Sequence, residues 1–172
     1  MFLIIIIKIK IENNNICILL SIYLIEMNNK INMSLCYLYA KQSPDNRTKV
    51  GSLICDYNNN IYGISYNDVL YENSVMNKNT IGHAEEILIF KLIKQNINFA
   101  DKVLFTTHFP CLNCCKLILQ VGIKHIIYDG MLKENKNKKM NMEFLLAGGV
   151  TIEIMKEDII REIHKFNNGI KE

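Results

Sequence analysis

From residue 33 onward the apolar pattern switches repeatedly between a helical and a strand period. Residues 34–42 carry apolar positions at helical spacing and stop at Ser43-Pro44-Asp45, a turn signal. Residues 50–55 and 61–65 read as two strands joined across Asn58-Asn59-Asn60 into a hairpin. Residues 83–94 place Ile87, Leu88, Phe90 and Ile93 at helical spacing, with Glu85 and Glu86 in the first turn, where the helix dipole favours acids. Residues 102–107 form a third strand, and residues 111–121 a helix bracketed by Pro110 and Gly122. Residues 125–129 make a fourth strand. Residues 134–147 begin lysine-rich and become helical, and Gly148-Gly149 ends them. A fifth strand at 150–155 and a helix at 157–166 close the chain. Strands alternating with helices in this way predict one layered α/β domain.

The first 32 residues follow a different pattern. Two apolar runs, residues 2–7 and 16–25, are separated by Lys8, Lys10 and Glu12. Neither reaches the ~20 residues that a membrane span needs. The lysines follow the first run instead of preceding it, against the order of a signal peptide. We therefore expect residues 1–32 to be an apolar extension outside the working domain, with Met27 or Met33 as the natural start, and no membrane partner.

Composition narrows the function. The chain has 172 residues, 49% of them hydrophobic, and a formal net charge of +3. That suits one folded domain and argues against disorder. Arginine occurs only at Arg47 and Arg161, and tryptophan is absent. A basic, aromatic groove for nucleic acid is therefore not expected. The six cysteines are unevenly spaced, which suits a reducing, cytoplasmic compartment and metal ligation better than a disulfide scaffold.

Two short stretches carry chemistry: His83-Ala84-Glu85 and Pro110-Cys111-Leu112-Asn113-Cys114. Each opens a predicted helix. One helical turn brings Cys111 and Cys114 to the same side, and a helix N-terminus favours the thiolate that binds metal. Two thiolates and one imidazole suit Zn²⁺ with a fourth position left open. Glu85 is not needed as a ligand and stands where it can move protons. A redox Cys pair is the competing reading of Cys111 and Cys114 alone, but it leaves His83 and Glu85 without a purpose. Cys115, directly after Cys114, reads as a small buried residue.

The combination H-x-E with P-C-x-x-C is the signature of zinc deaminases. On these motifs the chain resembles the cytidine and deoxycytidylate deaminase superfamily, and within it the deoxycytidylate (dCMP) branch. Ser43-Pro-Asp-Asn-Arg-Thr-Lys-Val-Gly-Ser-Leu-Ile54 is similar to that branch's opening segment. Thr106-Thr-His-Phe-Pro-Cys-Leu-Asn-Cys114 with the helix after it is similar to its second motif, and Ala147-Gly-Gly-Val150 to its final turn.

The resemblance implies a three-layer α/β/α fold with a five-stranded mixed sheet over residues 33–172. It implies Zn²⁺ held by His83, Cys111 and Cys114, with Glu85 as the catalytic acid and base in hydrolytic deamination of dCMP to dUMP. It implies Asn67 as a sugar contact, nucleotide effectors and a homo-oligomer. Asp68 departs from the branch, which has Gly there. Ile87-Leu88 depart too, where many relatives have Asn-Ala. Two other readings stay open at this stage: a base deaminase acting on tRNA or single strands, and a catalytically silent zinc module. The lysine-rich stretch from Lys133 to Lys139 is expected to be a solvated loop rather than a phosphate contact.

Overall fold

The computed structural model describes residues 14–70, 80–130, 137–155 and 157–169. Residues 1–13 of the expected extension and residues 133–136 of the lysine-rich stretch lie outside them.

The elements are α1 (Asn14–Ala40), β1 (Gly51–Asp56), β2 (Ile61–Tyr66), β3 (Asp68–Val69), β4 (Ile81–Gly82), α2 (Ala84–Ile93), β5 (Lys102–Thr106), α3 (Leu112–Val121), β6 (His125–Asp129), α4 (Lys138–Ala147), β7 (Thr151–Met155) and α5 (Glu157–Gly169). Five strands form one mixed sheet in the order β2-β1-β5-β6-β7. The hairpin partners β1 and β2 are antiparallel, as are β1 and β5, whereas β5, β6 and β7 run parallel through α3 and α4. The expected five-stranded mixed sheet is present. A two-residue pairing of β3 with β4 is the addition. It is too short to give a period in the sequence.

Alternation along the central strands explains the three layers. Leu53, Cys55, Val103, Phe105 and Ile127 face one side, where Met33 and Cys36 of α1 and Ile160 and Ile163 of α5 cover them. Their neighbours Ile54, Leu104 and Ile126 face the other, under Leu88, Ile89 and Leu92 of α2, Cys115 and Ile118 of α3, and Leu145 of α4. Because the strand period is two, adjacent residues serve opposite cores. Gly122, left-handed at φ 88°, ends α3 and turns the chain into β6.

The helix expected at 34–42 begins much earlier. In α1, Met33, Cys36 and Ala40 are buried on one face, whereas Ile18, Tyr23, Leu24 and Ile25 are exposed. The helix therefore runs unbroken across residue 32. No helix among the described residues is long and apolar enough to cross a membrane.

At Gly51 the backbone of α1 lies hard against the sheet. A Cβ there would stand 1.9 Å from the backbone oxygen of Cys36. The obstacle is backbone, so no side-chain rotation relieves it. Gly51→Ala is expected to cost at least about 3 kcal/mol, beyond ordinary overpacking. Urea unfolding measures it, and wild-type stability in the variant would show that α1 does not seat on β1 as described.

Candidate metal centre and cavity

His83 and Cys111 are the residues preceding the first turns of α2 and α3, both with extended backbone (φ −76°, ψ 150° and φ −70°, ψ 168°). Extended geometry at a helix entry turns the side chain across the helix mouth. Two such mouths meet here. His83 Nδ1 lies 3.3 Å from Cys111 Sγ and 3.5 Å from Cys114 Sγ, and the sulfurs are 3.6 Å apart. These three residues form a group of metal-ligand type among the described residues.

The spacing fits zinc. With Zn–S of about 2.3 Å and Zn–N of about 2.0–2.1 Å, a tetrahedral centre separates its ligand atoms by about 3.5–3.8 Å. The donor set of two sulfurs and one imidazole nitrogen is also what Zn²⁺ prefers, and it leaves a fourth position open.

The thiols and the ring share protons with one another. Cys111 is lowered to about 4 by the hydrogen bond from Cys114, with help from His83. Its hydrogen bond with that thiolate raises His83 to about 9. Cys114 is pushed up because it donates to Cys111 and is buried. Cys115 lies outside the group: its thiol is fully buried, donates to the Pro110 carbonyl at 3.5 Å, and is pushed up to about 12 by burial.

Glu85, in the first turn of α2, is 3% exposed. Thr106 Oγ1, at the end of β5, lies 3.4 Å from its Oε1, and Cys114 Sγ lies 3.8 Å from its Oε2. Ser52 Oγ donates to Thr106 Oγ1 at 3.2 Å, so the acid is steadied by a short hydroxyl chain from β1. Burial raises its carboxyl above the usual carboxylate range.

A cavity of about 190 Å³ opens beside this centre. Glu85, His83 and Cys111 border it, together with Thr48, Val50, His108, Phe109, Tyr128, Asp129 and Lys138. Burial lowers His108. The Asp129 carboxylate is gripped from behind, accepting a hydrogen bond from Tyr37 of α1 and lying 3.8 Å from His164 Nε2 of α5.

The structure thus brings together His83, Cys111, Cys114 and Glu85. Asn67 stands apart. It is buried, its Oδ1 accepts from the Val50 amide at 2.7 Å, and its Nδ2 donates to the Thr48 carbonyl at 2.9 Å. It braces two residues that border the cavity without bordering it itself. Tyr128, Asp129 and Lys138 carried no motif in the sequence. His108 and Phe109 did have a signal, since they directly precede Pro110-Cys111.

Residues 27–129 match the family described as the cytidine and deoxycytidylate deaminase zinc-binding region, and the chain belongs to that family. Among its relatives, a probable deoxycytidylate deaminase of Drosophila melanogaster is 34% identical over 115 residues, 56% of each chain. The deoxycytidylate deaminase of Mus musculus is 31% identical over 132 residues, covering 67% of this chain and 73% of the mouse protein. The chain thus spans little more than half of the Drosophila relative. The dCMP deaminase of cyanophage S-TIM5, solved without ligand, superposes with a TM-score of 0.63 at 27% identity, over 74% of this chain and 96% of the phage chain. The phage enzyme has also been solved in complex with dCMP and dUMP (TM-score 0.60).

Proposed function

We propose that the chain is a zinc-dependent hydrolytic deaminase of a cytosine nucleotide, converting dCMP and water into dUMP and ammonia. One observation carries this reading: an acid that ligates nothing is buried against three metal-ligand side chains at the wall of one cavity. A purely structural metal site has no use for it. The relatives and the phage enzyme support dCMP as the substrate.

In this reading His83, Cys111 and Cys114 hold Zn²⁺ and Glu85 handles protons. The metal supplies Lewis acidity that lowers the pKa of a water ligand from 15.7 to about 7. Glu85 would accept one proton of the water that adds to C4 and pass it to N3, then take the second proton from the new C4 hydroxyl and give it to the amino nitrogen as the C4–N bond breaks and the C4 carbonyl forms. A buried carboxyl with a raised pKa suits this, because it holds a proton between transfers instead of losing it to solvent. The hydrogen bond from Thr106 holds Oε1 still, and Phe109 and Tyr128 wall the cavity against water. Asn67 is the brace for Thr48 and Val50, with one amide hydrogen and one lone pair left for a sugar hydroxyl. The reading takes residues 33–172 as the deaminase domain and the chain as a cytoplasmic homo-oligomer. Exposed Phe90 and Ile93 on α2 are apolar surface that self-association would cover.

The test is ammonia release by the zinc-loaded chain with dCMP, deoxycytidine, CMP and a cytosine-bearing single strand. dCMP is expected to have the highest kcat/KM. Preference for the single strand would move the chain to nucleic-acid substrates, against its two arginines and mild charge.

A further inference from the structure

A second cavity, of about 160 Å³, shares no bordering residue with the one beside the metal centre. Cys55 of β1, Val103 and Phe105 of β5 and Ile127 of β6 border it from the sheet face that α1 and α5 cover, opposite to α2 and α3. Ile25, Asn28 and Asn32 of α1 border it from above the sheet. These three lie in the stretch that the sequence pattern leaves outside the working domain.

Asn32 is 1% exposed. Its Nδ2 donates to Asn59 Oδ1 at 2.6 Å and to Cys55 Sγ at 3.6 Å, so both amide hydrogens are committed. Its Oδ1 is buried and has no hydrogen-bond partner. A carbonyl oxygen taken out of water and left unpaired is costly, so it points to a donor that arrives with a ligand. Water fills such a space poorly. One water takes about 30 Å³ in the liquid and wants roughly 2–4 polar partners, so about five would have to sit over hydrocarbon and one thiol. An apolar cavity of about 150 Å³ stays dry and takes a single benzene ring.

The rim favours a flat, uncharged ring. Tyr57 and His125 both border the cavity and stack on each other, with ring centres 6.1 Å apart and planes 24° from parallel. They give it an aromatic edge. Among the described residues that border it there is no lysine or arginine, whereas Asp56 and Glu153 are acids, so an anion is disfavoured. A cation gains little. Asp56 accepts from the backbone amides of Asn58 and Asn60 and from the Asn60 side chain, and Glu153 lies 3.5 Å from His125 Nε2. Burial keeps the Cys55 thiol protonated, pushed up to about 11.

We infer that this cavity is a second binding site, which seats an uncharged six-membered ring whose edge N–H donates to Asn32 Oδ1. A free pyrimidine base and an aromatic carboxamide share that chemistry. With two acids and no bordering lysine or arginine, the site is unsuited to a phosphate-bearing ligand. It stands apart from the deaminase reading, since no residue of the metal centre takes part.

The experiment is two-dimensional NMR on the full, zinc-loaded chain, titrated with four probes. Uracil and nicotinamide have the ring and the N–H, methyl nicotinate lacks the N–H, and nicotinate carries a charge. Uracil or nicotinamide is expected to shift the Asn32 side-chain amide and the Tyr57 and Ile127 resonances, with a Kd of about 1 mM or tighter for so small a ligand. The tighter of the two tells a base from a carboxamide. Methyl nicotinate and nicotinate should bind about tenfold more weakly than that probe, the factor for one hydrogen bond to a buried acceptor. Asn32→Leu should lower its affinity by the same factor. Tyr57→Ala, at a residue 66% exposed and so safe for folding, should lower it about 2- to 10-fold.

No shift at these residues with either ring, or shifts confined to the residues around Glu85, would overturn the site and leave the cavity to water. Equal binding of nicotinamide and methyl nicotinate would overturn recognition through Asn32. Affinity unchanged in both Asn32→Leu and Tyr57→Ala would place the ligand elsewhere. Each outcome reads the same whether or not dCMP is deaminated.

Discussion

Glu85→Gln is expected to retain one zinc per chain and to lose deaminase turnover by about 10³- to 10⁴-fold, the upper range for a positioned acid–base. The carboxamide matches the carboxylate in shape, and Glu85 contributes no atom to the group formed by His83, Cys111 and Cys114. Folding should therefore survive, and stability should rise if anything, because a fully buried ionisable group is replaced by a neutral one. The useful comparison is between metal content and rate. Loss of both together would make Glu85 a ligand or a folding determinant. Retention of rate would remove proton transfer at Glu85 from the mechanism. Thr106→Val should act through Glu85, lowering kcat by a smaller factor without changing the metal content, since the hydroxyl only steadies Oε1.

Removal of a sulfur is the second large effect. Cys111→Ala or Cys114→Ala should abolish stoichiometric zinc and all turnover, whereas Cys115→Ala should keep both and lose only packing. The protons that must leave define the pH dependence. With Cys111 lowered to about 4 it is a thiolate at neutral pH, while His83, raised to about 9, carries a proton, as does the raised Cys114. Zinc binding near pH 7 therefore releases about two protons, and apparent affinity falls as pH falls. Calorimetry in buffers of different ionisation enthalpy reads that number. Release of no protons would mean that the metal binds elsewhere.

The sheet was legible in the sequence because its central strands are short, apolar and bounded by turn residues. Residues 102–106 lie between α2, whose first turn carries Glu85 and Glu86, and α3, which Pro110 precedes, and residues 125–129 follow Gly122 at the end of α3. The metal centre was legible for a related reason. Ligands placed at helix starts keep fixed spacing, so His83-x-Glu85 and Cys111-x-x-Cys114 are patterns of the chain itself.

Other parts depend on tertiary contact and leave no local trace. The β3–β4 pairing is one. The far wall of the cavity belongs here too: Tyr128, Asp129 and Lys138 come from β6 and α4 and meet α2 and α3 only after the sheet is assembled. The early start of α1 was hidden for a different reason, since residues 16–25 are apolar on every side apart from Ser21 and so show no helical period, although Ile18, Tyr23, Leu24 and Ile25 stay exposed. Asn67, expected from its position to contact a sugar, has its amide tied to Thr48 and Val50, and the proposed sugar contact rests on the amide hydrogen and lone pair left over.

The most direct test of the central claim is the stoichiometry of the reaction. The full-length, zinc-loaded chain is incubated with dCMP, and the loss of dCMP, the appearance of dUMP and the release of ammonia are followed together. The account predicts one dUMP and one ammonia for each dCMP consumed, over many turnovers. Absence of conversion with one zinc bound per chain would contradict it and leave the protein a zinc-binding module without deaminase activity.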